Sequence, residues 1–270
     1  MTPTNKTTSN RYPIPGNLLR PLWLRSRESL MENGLVYDPI AARACLRCQL
    51  APECLSGDIP QQQLLHVTLA CLCDEQVIHF LDRHPDGWII NVGAGLDTRF
   101  YRMDNGRCHW IELDTTENLI WRQKLFHANE RYLHRSGGIL DLAWLEGLPI
   151  SDSAAVLIVC EQALLSCQTE QVSRFVQTLG CHFDNATACL VLAGDLASKS
   201  LGQKLGSEHY AHGYTNAAAA MLNCLPWAKR VNMFSPLDEP CERWKLWHRC
   251  LRCIPSLKPR LTPVVVQLCW

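Results

Sequence analysis

Gly93 and Gly95 close the apolar run Trp88-Ile-Ile-Asn-Val92, and Asp114 follows Gly93 by 21 positions. Glycine lets a backbone come close to a ligand because no Cβ stands in the way. An acid about 20 residues after such a turn is placed to accept ribose hydroxyls. The chemistry these residues suit is therefore the binding of a nucleoside-like molecule. Two more acids close other apolar stretches: Asp141 after a short strand predicted to end at Ile139-Leu140, and Glu161 after Ala154–Cys160. A single loop acid is usually a solvated turn or a helix cap. Acids at several successive strand ends describe a crevice instead. Asp97 and Arg99, just beyond the glycines, could pair with each other or cap the next helix.

These residues need strands that end side by side. From residue 88 the pattern alternates strand and helix, with strands predicted at Ile89–Val92, Cys108–Leu113, Ala154–Cys160, Ala188–Ala193 and Pro263–Leu268. Thr169 is placed to cap a helix carrying Val172, Phe175, Val176 and Leu179 on one face. The rhythm predicts an α/β fold: a doubly wound, mostly parallel Rossmann-like sheet, helices on both faces and an N-terminal helical lid. Before the sheet, residues 18–33 suggest an amphipathic helix ended by Gly34, Asp38-Pro39 starts another, 49–60 is a loop, and 61–83 is a long helix stopped by Pro85-Asp86-Gly87. Residues 1–17 read as a flexible tail. Residues 18–270 read as one domain, with a helical region over 18–85, a ligand-binding core over 86–200, and a lid with terminal strands over 201–270.

The 270 residues are 47% hydrophobic, enough for a substantial core, and 26 basic side chains balance 26 acidic ones. Zero net charge argues against nucleic acid as a partner, since such binding rests on a basic surface. No run of about 18 apolar residues is evident, so no membrane span is expected. The polar N-terminus has no signal-peptide core, which makes the cytoplasm the expected compartment and reduced thiols the expected state of the 15 cysteines. The pairs Cys45/Cys48 and Cys250/Cys253 lie far apart with no histidine at ligand spacing, so no metal site is expected.

Several segments together resemble the leucine carboxyl methyltransferase family, which includes bacterial O-methyltransferases of polyketide and related secondary metabolism. They are Arg25-Ser-Arg-Glu28 with Tyr37-Asp-Pro39, Asn91-Val-Gly-Ala-Gly-Leu-Asp-Thr-Arg99, Trp110-Ile-Glu-Leu-Asp114, Leu140-Asp-Leu142 and Val159-Cys-Glu-Gln-Ala-Leu-Leu165. The resemblance covers roughly residues 20–200. It implies S-adenosylmethionine (SAM) as cofactor and a small-molecule methyl acceptor. It implies Gly93 and Gly95 against SAM, Asp114 on the ribose, Asp141 and Leu142 near the adenine, Glu161 near the amino-acid end, and Arg27 for the SAM carboxylate.

Three positions depart from the family pattern. The family usually has an Arg five residues ahead of an Asp on the helix before the glycine motif; with Asp74 as that Asp, Leu69 holds the Arg position. Losing one charge-assisted hydrogen bond costs about 1.5–3 kcal/mol. Gln162 replaces a usual glycine and Ser166 a common tyrosine. These departures leave open a degenerate fold that binds a partner without catalysis. An NAD(P)-dependent oxidoreductase is the other rival, although Thr98 stands where the third glycine of that fingerprint belongs. The residues identify no single catalytic base. For a methyltransferase this favours a carboxylate or an acidic phenol as the acceptor, because a carboxylate is already ionised at neutral pH. The segment Gly206–Tyr214, with His209 and His212, reads as a surface loop or a wall of the acceptor pocket.

Overall fold

The computed structural model describes residues 11–239, 242–244, 251 and 254–270. Seven strands form one sheet: β1 (Trp88–Val92), β2 (His109–Asp114), β3 (Tyr132–Ser136), β4 (Val156–Cys160), β5 (Ala186–Ala193), β6 (Arg230–Phe234) and β7 (Pro263–Cys269), in the order β3-β2-β1-β4-β5-β7-β6. The first five run parallel, and β7 lies antiparallel between β5 and β6. The chain order reverses at β1, between β2 and β4. In an open α/β sheet, that switch is where a crevice forms beyond the strands' carboxyl ends.

Both faces of the sheet are covered, as the continuous apolar strands require. Alternate residues point to opposite sides. Ile90, Val92, Ile111 and Ile158 pack toward α6 (Thr169–His182) and α8 (Ala217–Cys224). Ile89, Trp110, Leu157 and Val159 pack toward α3 (Ile59–Arg83). A third cluster joins α1 (Gly16–Ser29) to α2 (Pro39–Leu46) and roofs the glycine turn through Leu96. This is the N-terminal helical cover. The helix starts follow ordinary capping: Asp38 accepts from Ala41 N at 2.8 Å, and Thr115 accepts from Asn118 N at 3.3 Å to open α5 (Thr116–Leu125).

Several expectations change. The helix α1 stops at Ser29, not before Gly34, because the buried Glu28 accepts from Leu35 N at 2.8 Å and folds the chain back. Residues 11–17 are not a loose tail: Tyr12 N donates to Arg47 O and Gln49 N donates to Tyr12 O, each at 2.8 Å. Gln168, not Thr169, caps α6; its N–H donates to Gln171 Oε1 at 2.7 Å. The predicted third strand ends four residues early, at Ser136, because Gly137-Gly138 turns the chain under Trp144. Of the terminal strands expected over 201–270, β6 has no position predicted for it. The helix α3 is long and apolar enough to cross a membrane, yet 78% of its apolar window is buried inside the molecule, so it is a core helix. Among the described residues no cysteine is paired. Cys250/Cys253 lie outside the described residues, as do residues 1–10 of the predicted tail.

Candidate active site

The loop after β1 is shaped by its glycines. Gly93 (φ +66°) and Gly95 (φ +50°) occupy the left-handed region that side-chain-bearing residues avoid. A Cβ on Gly93 would sit 2.2 Å from Ala163 Cβ. Gly93 and Ala94 both donate to Leu113 O, at 2.8 and 3.1 Å, which pins the loop to the end of β2. Arg122, fully buried on α5, clamps the other side by donating to Gly95 O and Asp97 O at 2.8 Å each. Glu112 holds Arg122 at 2.7 Å and accepts from Asn91 Nδ2 at 2.9 Å.

This loop opens onto a cavity of about 440 Å³, within the range of small-ligand sites. Gly93, Gly95, Asp114 and Glu161 all line it, so four of the seven residues singled out by sequence meet here. Asp114 Oδ2 accepts from Gly95 N at 2.6 Å, while Oδ1 accepts from Thr115 N and Asn118 Nδ2 at 2.7 and 2.8 Å. A carboxylate offers about four lone-pair sites, so one remains for a ligand hydroxyl.

Glu161 is not a lone acid. Arg99, fully buried, donates Nη2 to Glu161 at 2.5 Å, Nη1 to Asp97 at 2.6 Å and Nε to Asp74 at 2.5 Å. Arg102 adds bonds to Asp74 and Asp38. Burial alone would raise Asp97 and Glu161, but Arg99 and its neighbours outweigh it and hold both carboxyls below the ordinary range. Arg99 therefore pairs with Asp97, as one sequence expectation allowed, and also reaches two acids far away in the chain.

Three predicted residues lie elsewhere. Arg27 is exposed and points away from the cavity; its Nε donates to Gln63 at 3.1 Å and its guanidinium lies over Trp23. Two helical positions rotate a side chain by about 200°, so Arg25 faces the cavity and Arg27 cannot. Arg25 is 3% exposed, and its Nη2 donates to Leu96 O at 3.1 Å. Its Nε makes no hydrogen bond but lies 3.6 Å from the buried Asp38 carboxylate. The cavity wall thus holds Arg25 and not Arg27; the helical phase shared by Leu18, Pro21 and Arg25 is the signal for this in the sequence. Asp141 and Leu142 also lie outside the wall. Asp141 is an exposed turn residue that accepts from Ala143 N, and Leu142 packs against the α6-side core. Asn118, Gln162 and the segment Glu208-His209-Tyr210 line the cavity without having been singled out as cofactor contacts.

A second cavity of about 230 Å³ abuts the first, sharing Pro21, Gln162, Leu165 and Tyr210 with it. Its own walls are Leu24, Leu65, His66 and Leu69. A third, of about 560 Å³, continues outward past Arg20, Gln62 and Glu208. His212 does not line any of these three; it accepts from Ala193 N at 3.0 Å through Nε2.

The sequence pattern of leucine carboxyl methyltransferases matches residues 23–225. The chain belongs to that family. Its cofactor is accordingly SAM. The tetracenomycin polyketide synthesis O-methyltransferase TcmP of Streptomyces glaucescens is 29% identical over 85 residues, which covers 31% of this chain and about a third (32%) of TcmP. A candidate methyltransferase from Thermobifida fusca YX shares the fold with a TM-score of 0.59 at 13% identity, covering 98% of this chain and 97% of that one. The magnesium protoporphyrin IX methyltransferase of Synechocystis PCC 6803, solved with S-adenosylhomocysteine (SAH), aligns at TM-score 0.50 and 12% identity over 86% of this chain and 93% of that one.

The residues present fit SAM. The loop turns at Gly93 and Gly95 without side chains, Asp114 keeps one free acceptor site, and Arg25 and Glu161 put opposite charges in the same cavity wall. Asp114 would hold the ribose, Arg25 the carboxylate, and Glu161 the ammonium.

Proposed function

We propose that this chain is a SAM-dependent O-methyltransferase that methylates a carboxylate or an acidic phenol of a small molecule. The observation that carries the reading is the pair of abutting cavities: one framed by Gly93, Asp114, Arg25 and Glu161, the other walled in part by Leu24, Leu65 and Leu69 and linked to it through Gln162 and Leu165. SAM supplies a sulfonium methyl to a nucleophile. The chain's own work is to orient the acceptor and keep water out. Leu24, Leu65 and Leu69 would exclude water, and the Arg99 network would fix the loop that carries Asp97. A binding-only role is less well supported, because Arg25 offers a guanidinium that the Leu69 departure had removed from the pattern.

The test is titration calorimetry with SAH and, separately, NADH, followed by transfer from methyl-labelled SAM to oxygen, nitrogen and carbon acceptors. SAH binding with no NADH binding, and label on oxygen, is the expected result. Label confined to nitrogen or carbon would overturn the O-methyl reading. Absence of SAH binding would overturn the cofactor site itself.

A further inference from the structure

The geometry points to an uncharged hydroxyarene as the acceptor, seated in the inner cavity, with His66 as the base that takes its proton. This deepens the reading above and rests on it.

A carboxylate acceptor needs a cation to hold it. Among the described residues lining the inner cavity, the only guanidinium is that of Arg20, and both its terminal nitrogens are taken. Its Nη1 donates to Glu53 O and Cys54 O at 2.7 and 3.0 Å, and its Nη2 donates to Ser56 O and Gln62 Oε1 at 2.9 and 2.5 Å. Its Nε makes no hydrogen bond, but it is buried and faces Glu208 at 3.6 Å. An anion there would be desolvated without a free partner, beside the Glu208 carboxylate. The apolar part of the wall is Pro21, Leu24, Leu65, Leu69 and Leu165, and the uncharged Asn17, Gln62, Gln162 and Tyr210 complete it beside Glu208. At about 230 Å³ the cavity falls below the usual span of whole-ligand sites, so it takes a ring while the rest of the molecule extends into the outer cavity.

A neutral hydroxyl must lose its proton. His66 is 8% exposed and stands in the inner wall. Its Nε2 lies 3.4 Å from Arg25 Nη1, and its Nδ1 lies 3.3 Å from the Gln162 carboxamide. A guanidinium only donates, so the Arg25 contact puts the lone pair on Nε2 and the proton on Nδ1; the Gln162 amide nitrogen beside Nδ1 donates to Glu161 Oε1 at 3.4 Å. Arg25 lines the cofactor cavity and His66 the inner one. The lone pair therefore faces the seam where an acceptor oxygen must lie, and at 3.4 Å its present contact is long enough to yield.

The step balances. The acceptor oxygen forms a bond to the methyl carbon, the carbon–sulfur bond breaks with its electron pair staying on sulfur, and the hydroxyl proton passes to His66 Nε2. The sulfonium charge ends on the imidazolium, which returns the proton to water. The charged groups facing His66 are Arg25 from α1, Glu161 after β4, and Asp97 and Arg99 from the glycine loop and α4 (Arg99–Met103). Burial lowers His66 most; Glu161 opposes and Arg25 adds to it, leaving the ring at about 4. The imidazole is thus neutral above about pH 5 and is a weak base, so its contribution should sit at the low end of general-base effects, about 10²-fold.

The probes are 2-naphthol and 2-naphthoate, titrated into SAH-saturated protein, with single-turnover transfer from labelled SAM between pH 5 and pH 10 for wild type and His66→Asn. Naphthol should bind at least tenfold tighter than naphthoate, and Leu69→Arg should abolish naphthol binding while SAH still binds. The wild-type rate on naphthol should be flat from pH 6 to pH 9. In His66→Asn it should fall about 10²-fold at pH 7 and rise with pH toward the phenol's own ionisation, near 10, while SAH affinity stays within twofold. Tighter naphthoate binding, no naphthol binding, or an unchanged rate and profile in His66→Asn would overturn the inference. Loss of SAH binding in the wild type would instead overturn the cofactor reading beneath it.

Discussion

Asp114→Ala separates ligand recognition from loop support, and its size can be worked from the contacts. The carboxylate accepts three protein hydrogen bonds and has one lone-pair site left, on the oxygen already bonded to Gly95 N. If a ribose hydroxyl fills that site, its charge-assisted bond is worth about 1.5–3 kcal/mol. At 1.4 kcal/mol per factor of ten, SAH affinity should fall roughly 10- to 150-fold. The protein bonds contribute about 1 kcal/mol each. Thr115 is exposed and Asn118 half-buried, so water replaces part of what they lose. A net destabilisation of about 1–2 kcal/mol remains, a Tm lower by roughly 2–8 °C at this chain length. Asp114→Asn should be little better, because all three protein partners are donors and an amide presents one acceptor atom. The assays are calorimetry with SAH and thermal denaturation without ligand. A folded Asp114→Ala protein that binds SAH within twofold of wild type would refute the reasoning, since the carboxylate would then support the loop and touch no ligand.

Two further predictions follow from the same crevice. Gly93→Ala places a methyl 2.2 Å from Ala163 Cβ at a φ of +66°; SAH affinity should fall more than tenfold, and adding Ala163→Gly should recover only part, because about 1–2 kcal/mol of left-handed strain remains. Arg99→Met should cost about 3–5 kcal/mol in urea denaturation by orphaning Asp74, Asp97 and Glu161. The depressed folded-state pKa values of Asp97 and Glu161 contribute stability above their unfolded values near 4 and lose it as pH falls. The gap between wild type and Arg99→Met should therefore narrow below about pH 4; a gap independent of pH would show that these ion pairs do not set it.

The parallel sheet was legible because buried parallel strands leave continuous apolar runs, and Val156–Cys160 is one. The edge strand β6 was not: Arg230-Val-Asn-Met-Phe234 is half-exposed and has no such run. The cradle could be read from Gly93, Gly95 and Asp114, since a turn and its following acid are local patterns. The Arg99 network could not, because its acids come from α3, the glycine loop and the end of β4, and only the fold brings them together. That Arg25 and not Arg27 lines the cavity follows from helical phase, which the resemblance behind Arg27 does not carry.

The departure at Leu69 acquires a different meaning once the cluster is counted as charge. Asp38, Asp74, Asp97 and Glu161 face Arg25, Arg99 and Arg102 across the crevice floor, four acids against three guanidiniums. An arginine at position 69 would have balanced the set and placed a cation in the inner wall. Leucine there leaves one negative charge uncompensated beside the cofactor cavity, where the ammonium of SAM can offset it. It also keeps the Leu24, Leu65 and Leu69 side of the neighbouring cavity apolar. The guanidinium for the opposite, carboxylate end of the cofactor would then come from Arg25, one helix away. On this account the substitution moves a positive charge out of the acceptor's surroundings without removing it from the cofactor's, and the change falls on which acceptor is taken more than on whether SAM binds.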